Sequence, residues 1–251
     1  MLLQLSTWID VENYLKNNQS IIIPIGSTEQ HGPNGLIGTD AICPEFIARE
    51  IGKRKNIMIA PTLAIGMAQH HLAFPGSITL RPSTMISVIK DVVNSLMCHG
   101  FRFFYFLNGH GGNVATLTAA FSEIYADRSL TQNNQNLSIE CYLRNWWQGD
   151  DIQKLSKELF DNAEGAHATP SEVSLTWHCY PEAAKPMNFD PMIAPNGTFT
   201  DAIHYRKVFP DGRIGSNPGL ASIEAGKRIY ECAVNAIQQN YQEWIDNLKK
   251  T

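Results

Sequence analysis

Apolar and polar positions along this chain fall into two alternating periods. Residues 8–16 have the spacing of a short amphipathic helix, broken by Asn17-Asn18-Gln19-Ser20. Residues 21–25, Ile-Ile-Ile-Pro-Ile, carry no charge and predict a central strand in which Pro24 withholds one ladder hydrogen bond. Residues 41–53 place Ile42, Phe46, Ile47 and Ile51 at helical spacing, and residues 56–60 predict a second strand closed by Pro61. Residues 66–77 hold two adjacent histidines among turn residues and predict a long surface loop; residues 78–80 predict a short strand. A helix capped by Ser83 or Thr84 runs to His99 with Ile86, Ile89, Val92, Val93, Leu96 and Met97 on one face, and Gly100 suits the position past its end.

Residues 101–107 are the most apolar strand, followed by a glycine-rich turn and a helix over 114–127. Residues 131–136 are a polar link, 138–143 a further strand, and 151–160 a helix. Pro170 opens a helix carrying Val173, Leu175, Thr176 and Trp177. Residues 181–216, rich in Pro, Gly, Asn and Asp, predict irregular structure, and 221–248 a long closing helix. Strands alternating with helices predict an α/β fold: a mostly parallel, doubly wound sheet with helices on both faces. The length of 251 residues fits one domain spanning 1–251.

Composition narrows the function classes. A net charge of −4 and a pI near 6.1 leave no basic footprint for nucleic acid. No apolar run reaches the roughly 18 residues of a membrane span, and the acidic-flanked N-terminus does not read as a signal peptide. Five scattered cysteines without a CxxC pair suggest reduced thiols packed in a cytoplasmic protein.

The chemistry gathers in Gly26-Ser-Thr-Glu29-Gln-His31-Gly-Pro33, which runs on to Thr39-Asp40. Glu29 and His31 lie two residues apart, so an extended backbone points both to one side. His110 sits in Asn108-Gly-His-Gly-Gly-Asn113, directly after the most apolar strand. Ligands of doubly wound sheets bind beyond the carboxyl ends of the strands, so both motifs are brought to one rim. Glu29, His31, Asp40, His110 and Glu172 form a donor set suited to a pair of divalent ions such as Zn, Mn or Fe(II). His167, with no ligand role, is suited to proton transfer. Plainer readings stand beside these: Asp40 as a helix cap, Glu172 as a favourable first-turn carboxylate, His110, His70 and His71 as polar loop residues, Trp146 and Trp147 as core.

At these residues the chain resembles the creatininase (creatinine amidohydrolase) family. The matching pieces are GSTEQHGP at 26–33, Thr39-Asp40, His71-x-x-Phe-Pro-Gly76, NGHGGN at 108–113, His167-Ala-(x)3-Glu172, and the 215–226 stretch. The resemblance implies a three-layer α/β/α fold, a two-metal site (Zn and/or Mn, or Fe), hexameric assembly, and hydrolysis of C–N bonds in cyclic or linear amides by metal-activated hydroxide. It implies that Glu29 and His110 serve one metal and His31 the other, that Asp40 bridges, and that His167 is the catalytic histidine. Gly111, His71 and Trp146 are expected to face a small-molecule substrate. Creatininase proper carries Tyr and a ligand Glu where this chain has Gly111 and Gly112, so Glu172 is expected to supply the missing carboxylate, and creatinine is placed in doubt as the substrate. Two rival readings are a metal-dependent sugar or lactone hydrolase and a nucleotide-binding module that uses Gly109-x-Gly-Gly112 as a phosphate loop.

Overall fold

A computed structural model describes residues 1–130, 138–248 and 250. The polar link at 131–136 lies outside the described residues. Four strands, β1 (Ser20–Ile25), β2 (Met58–Ile59), β3 (Phe103–Asn108) and β4 (Glu140–Asn145), form one sheet in the order β2-β1-β3-β4, with every pair parallel. The helices are α1 (Trp8–Leu15), α2 (Thr39–Lys55), α3 (Pro82–Cys98), α4 (Val114–Leu130), α5 (Asp150–Phe160), α6 (Pro170–Cys179), α7 (Ala202–Val208) and α8 (Ile223–Leu248).

Side-chain alternation sorts the strands into two cores. Ile22, Tyr105 and Leu107 pack on one face with Ile47, Ile51, Leu175, Ile229 and Trp244, which belong to the α2, α6 and α8 layer. Ile21, Ile23, Ile25, Phe104 and Phe106 pack on the other with Tyr14, Ile89, Val93, Leu117 and Phe121 of α1, α3 and α4. Both faces are covered, as a parallel sheet of near-continuous apolar strands requires. The chain leaves β1 towards one edge and β3 towards the other, so the order reverses between these two neighbours. That reversal is the crevice where doubly wound sheets hold their ligands.

The N-terminus of α2 closes onto this crevice, and two glycines permit it. A Cβ at Gly26 would lie 2.1 Å from the Asp40 carbonyl oxygen, and one at Gly109 would lie 1.9 Å from the same atom. Gly26→Ala or Gly109→Ala is therefore expected to lower stability by at least about 2–3 kcal/mol, because backbone must move to admit the methyl. Chemical denaturation measures this, and a loss below about 1 kcal/mol would contradict so close an approach.

Five expectations are corrected. Residues 78–80 form no strand: Ile78 makes one isolated bridge to Thr28, and its side chain is exposed. The 66–77 stretch is not a surface loop throughout, because Gly66, Ala68, His70, His71 and Phe74 are buried. The helix expected from Ser83 or Thr84 starts at Pro82, whose fixed φ suits the first turn. Within 181–216, Asp201 caps the short α7 by accepting from the His204 N–H at 2.9 Å, and Tyr205 on that helix is fully buried. The β2 strand is also shorter than the 56–60 run, since Asn56 ends α2 in the left-handed region.

Candidate metal centre

The turns after β1 and β3 meet over the switch point, and asparagines hold them there. Asn108 accepts from the His110 N–H at 3.2 Å and donates to the His110 carbonyl at 2.6 Å, while Asn113 donates to the Gly26 carbonyl at 2.9 Å. The His110 amide is thereby used inside the turn, which weakens the phosphate-loop reading of this glycine run.

Four of the five proposed ligands, Glu29, His31, Asp40 and His110, are buried; Glu172 is partly buried beside them. Asp40 is the second residue of α2, and Gly38 occupies the cap position, so its carboxylate does not cap the helix. One of its oxygens, Oδ1, lies 3.0 Å from His31 Nε2; the other, Oδ2, lies 2.8 Å from His110 Nδ1. Glu29 Oε1 lies 3.3 Å from His110 Nδ1 and 3.2 Å from His71 Nε2, while its Oε2 accepts from Ser27 Oγ at 2.7 Å. Glu172 Oε1 lies 3.9 Å from His31 Nε2 and accepts the Thr169 N–H at 2.6 Å in a capping box. It serves the helix end and faces the cluster at once. Two three-residue groups share Asp40: Glu29–Asp40–His110 and His31–Asp40–Glu172, each with ligand atoms within 4.8 Å of one another.

The donor set fits divalent cations. Glu29 Oε1 and Asp40 Oδ2 are buried carboxylate oxygens without a properly directed hydrogen-bond donor, a costly arrangement unless a positive charge compensates it. The histidines are oriented for the same purpose. His110 Nε2 donates to the Met67 carbonyl at 3.0 Å and His31 Nδ1 to the Glu29 carbonyl at 3.1 Å, which aims His110 Nδ1 and His31 Nε2 at the cluster. Gly112 cannot carry a ligand side chain, since a Cβ there would sit 2.3 Å from His110 Nε2 and 2.8 Å from the Met67 carbonyl oxygen.

Without cations these groups compensate one another. Burial alone would lower the pKa of His31, but the Asp40 carboxylate raises it to about 10. Burial likewise opposes His110, and Glu29 with Asp40 raises it to about 9. Asp40 is held below the usual carboxylate range: burial works against that, and the two imidazolium rings prevail. Burial pushes Glu172 up to about 7 against the pull of His31.

His167 sits beside the cluster with Nδ1 3.9 Å from Glu29 Oε1, and its Nε2 donates to the Gln30 carbonyl at 2.8 Å. That bond leaves Nδ1 free to accept a proton. Burial, then the neighbouring His71 and His31, push its pKa well below the ordinary value. A cleft of about 600 Å³ opens over this floor, lined by Asp40, His110, His167 and Glu172 below and by α5 and the 161–166 turn at the side. Gly111 lines it as well.

Two residues expected to face substrate lie elsewhere. Trp146 packs into the α5–α8 core beside Ile152 and Phe160, because it continues the inward alternation of β4; Trp147 lines the cleft instead. His71 sits behind Glu29, fully buried and off the cleft wall, with its pKa pushed down to about 2 by burial and by His70. Gln30 went unread in the sequence. Its side-chain amide reaches His71 Nδ1 at 2.9 Å and the Gly212 carbonyl at 3.0 Å, and its Oε1 accepts the Gly32 N–H at 2.8 Å. Its position between Glu29 and His31 was the available signal.

Known proteins share this fold and stretches of this sequence. Residues 4–240 match the family described as "Creatininase: Creatinine amidohydrolase". The chain is 34% identical over 118 residues to the mycofactocin precursor peptide peptidase of Mycobacterium tuberculosis, covering 43% of this chain and 47% of that one. It is 32% identical over 177 residues to the 3-dehydro-scyllo-inosose hydrolase of Thermotoga maritima, covering 69% of this chain and 54% of that one. The chain thus spans about half the length of these two curated relatives. A solved structure named "Creatininase Mn" superposes with a TM-score of 0.80 at 21% identity, covering 96% of this chain and 97% of the other, a likeness of fold. With the family match running through almost the whole chain, this chain belongs to the creatininase family.

Proposed function

We propose that this protein is a two-metal amidohydrolase that cleaves a C–N bond in a small cyclic or linear amide. The observation that carries the reading is the pair of buried carboxylate oxygens without a directed hydrogen-bond donor, Glu29 Oε1 and Asp40 Oδ2, among His31, His110 and Glu172 at the floor of an open cleft. Glu29, Asp40 and His110 would hold one cation and His31, Asp40 and Glu172 the other; Mn and Zn suit these donors. When bound, such a pair makes water nucleophilic at neutral pH and withdraws charge from a carbonyl oxygen. The chain supplies the rest. His167 Nδ1 takes the proton of the attacking water and returns it to the leaving nitrogen. Gln30 keeps that ring in place through its carbonyl. The Gly111 N–H, at the cleft wall, would orient the substrate.

The test is turnover by metal-replete protein on a panel of cyclic amides, formamides, short peptides and keto-sugars. Cleavage of at least one amide is expected; activity on keto-sugars alone would give the assignment to the second reading. That reading, a sugar or lactone hydrolase using the same site, is favoured by the likeness to the Thermotoga maritima hydrolase.

Cation affinity should depend steeply on pH. His31 and His110 are protonated near neutrality in the cation-free protein, so each cation displaces a proton, and affinity should rise up to about tenfold per pH unit per proton displaced. Titration with Mn²⁺ at pH 6, 7 and 8 checks this; a flat response contradicts it. The cation-free protein should behave oppositely. Its two raised histidines contribute stability that is fully present below about pH 6.5 and is lost as pH rises through about 9 to 10.

A further inference from the structure

His71 reaches the cluster without joining it. Its Nε2 lies 3.2 Å from Glu29 Oε1, against 3.3 Å for His110 Nδ1, yet it belongs to none of the three-residue ligand groups among the described residues. It is fully buried and off the cleft wall, with the His167 ring stacked on it at 4.4 Å and the Tyr205 ring edge-on at 4.6 Å. What it offers Glu29 depends on which ring nitrogen carries the proton.

The surrounding hydrogen bonds fix that choice. The side-chain Oε1 of Gln30 accepts the Gly32 N–H at 2.8 Å, so its Nε2 is the donor end. One amide proton goes to the Gly212 carbonyl at 3.0 Å and the other to His71 Nδ1 at 2.9 Å. The remaining neighbours do not compete. His167 Nε2 gives its own proton to the Gln30 carbonyl, and the Tyr205 hydroxyl gives its proton to the Gly212 carbonyl. Gly212 is fitted to the amide: its φ is +89°, and a Cβ there would lie 1.9 Å from Gln30 Oε1. His71 Nδ1 is therefore an acceptor, and the ring, kept neutral by burial, carries its proton on Nε2. That proton stands beside Glu29 Oε1 without lying on the line to it, so the oxygen keeps a lone pair for a cation. Ser27 holds the other carboxylate oxygen at 2.7 Å.

We propose that His71 is a positioning residue: locked by Gln30 with its proton on Nε2, it steadies the Glu29 carboxylate for a cation and cannot bind that cation itself. This rests on the two-metal reading. The opposite tautomer would turn a lone pair towards the site as a competing ligand and leave two N–H donors facing each other at Gln30. Partners that orient a ligand in this way change metal affinity by about 10–100-fold.

The experiment uses Zn²⁺, which is diamagnetic. The tautomer is read from ¹⁵N spectra of the cation-free and Zn-loaded protein, the His71 signals being those lost in His71→Gln. Zn²⁺ affinity is measured by chelator competition for wild type, His71→Gln and His71→Leu, with Tm recorded. The proton is expected on Nε2 in both states. His71→Leu should lose about tenfold or more in affinity for one Zn²⁺ and keep the other within about threefold. His71→Gln, whose amide can put an N–H where the Nε2–H stood, should hold both within about threefold. A proton on Nδ1, or a Zn²⁺–nitrogen bond at His71, overturns the proposal. So does a His71→Gln weakened as much as His71→Leu, or a His71→Leu at full affinity. Should His71→Leu not fold, the tautomer and the His71→Gln affinity decide: both as expected uphold the proposal, and either one failing overturns it. Wild-type protein that takes up no Zn²⁺ overturns the two-metal reading itself, whereas uptake with the proton on Nδ1 overturns only the role given to His71.

Discussion

Replacing Asp40 with alanine is expected to lower kcat/KM by about a thousandfold or more and to strip the protein of bound cations. Asp40 belongs to both ligand groups, and its two oxygens already point in different directions, Oδ1 to His31 and Oδ2 to His110. Removing it leaves Glu29 with His110 on one side and His31 with Glu172 on the other, two ligands each, which is too few for a stable site. It also removes the main charge that raises His31, and the charge that assists Glu29 in raising His110, in the cation-free state. Elemental analysis of the purified variant should find well under one cation per chain, against about two for the wild type. Asp40→Asn separates charge from shape, and should keep the fold while losing most of the metal. A variant at wild-type metal content and turnover would remove the bridging role.

His167→Gln should give the complementary result: kcat falls by about 10²–10⁴-fold, with cation content unchanged and KM little moved. His167 is no member of the two groups that share Asp40, although its Nδ1 lies within reach of Glu29. Burial and its histidine neighbours keep its pKa well below the ordinary value, so Nδ1 is unprotonated through the neutral range, the form a base requires. Glutamine keeps a donor for the Gln30 carbonyl but cannot carry a proton in and out. Should the variant retain kcat within about threefold, proton transfer must be given to another group, and Glu172, whose pKa burial lifts to about 7, stands next.

What could be read from sequence divides along physical lines. The β1 and β3 strands were legible because buried parallel strands are uninterrupted apolar runs, and the convergence of Glu29, His31, Asp40 and His110 was legible because both motifs follow such runs directly. Asp40 was ambiguous, since the same residue type at a helix start also serves as a cap; only its contacts to two histidines decide between the roles. His70 and His71 misled because polarity in a glycine- and proline-bearing stretch signals exposure, whereas here the loop folds inward, with His71 hydrogen-bonded to Gln30 and His70 stacked on Phe199. Trp146 and Trp147 could not be told apart by type. One residue of register sends the first into the core and the second to the cleft. The helix around Tyr205 was hidden by the loop-like residues flanking it.

The crevice between β1 and β3 has a consequence for when the protein can acquire its cations. Asp40 enters on the helix that follows β1, His110 follows β3 more than sixty residues later, and Glu172 arrives later still. No short stretch of chain holds a complete ligand group, since the first needs His110 and the second Glu172, and pairing two strands this far apart is a slow, late step in folding. A chain that ends before β3 therefore lacks both His110 and Glu172, and neither ligand group can assemble until the strands flanking the crevice have paired.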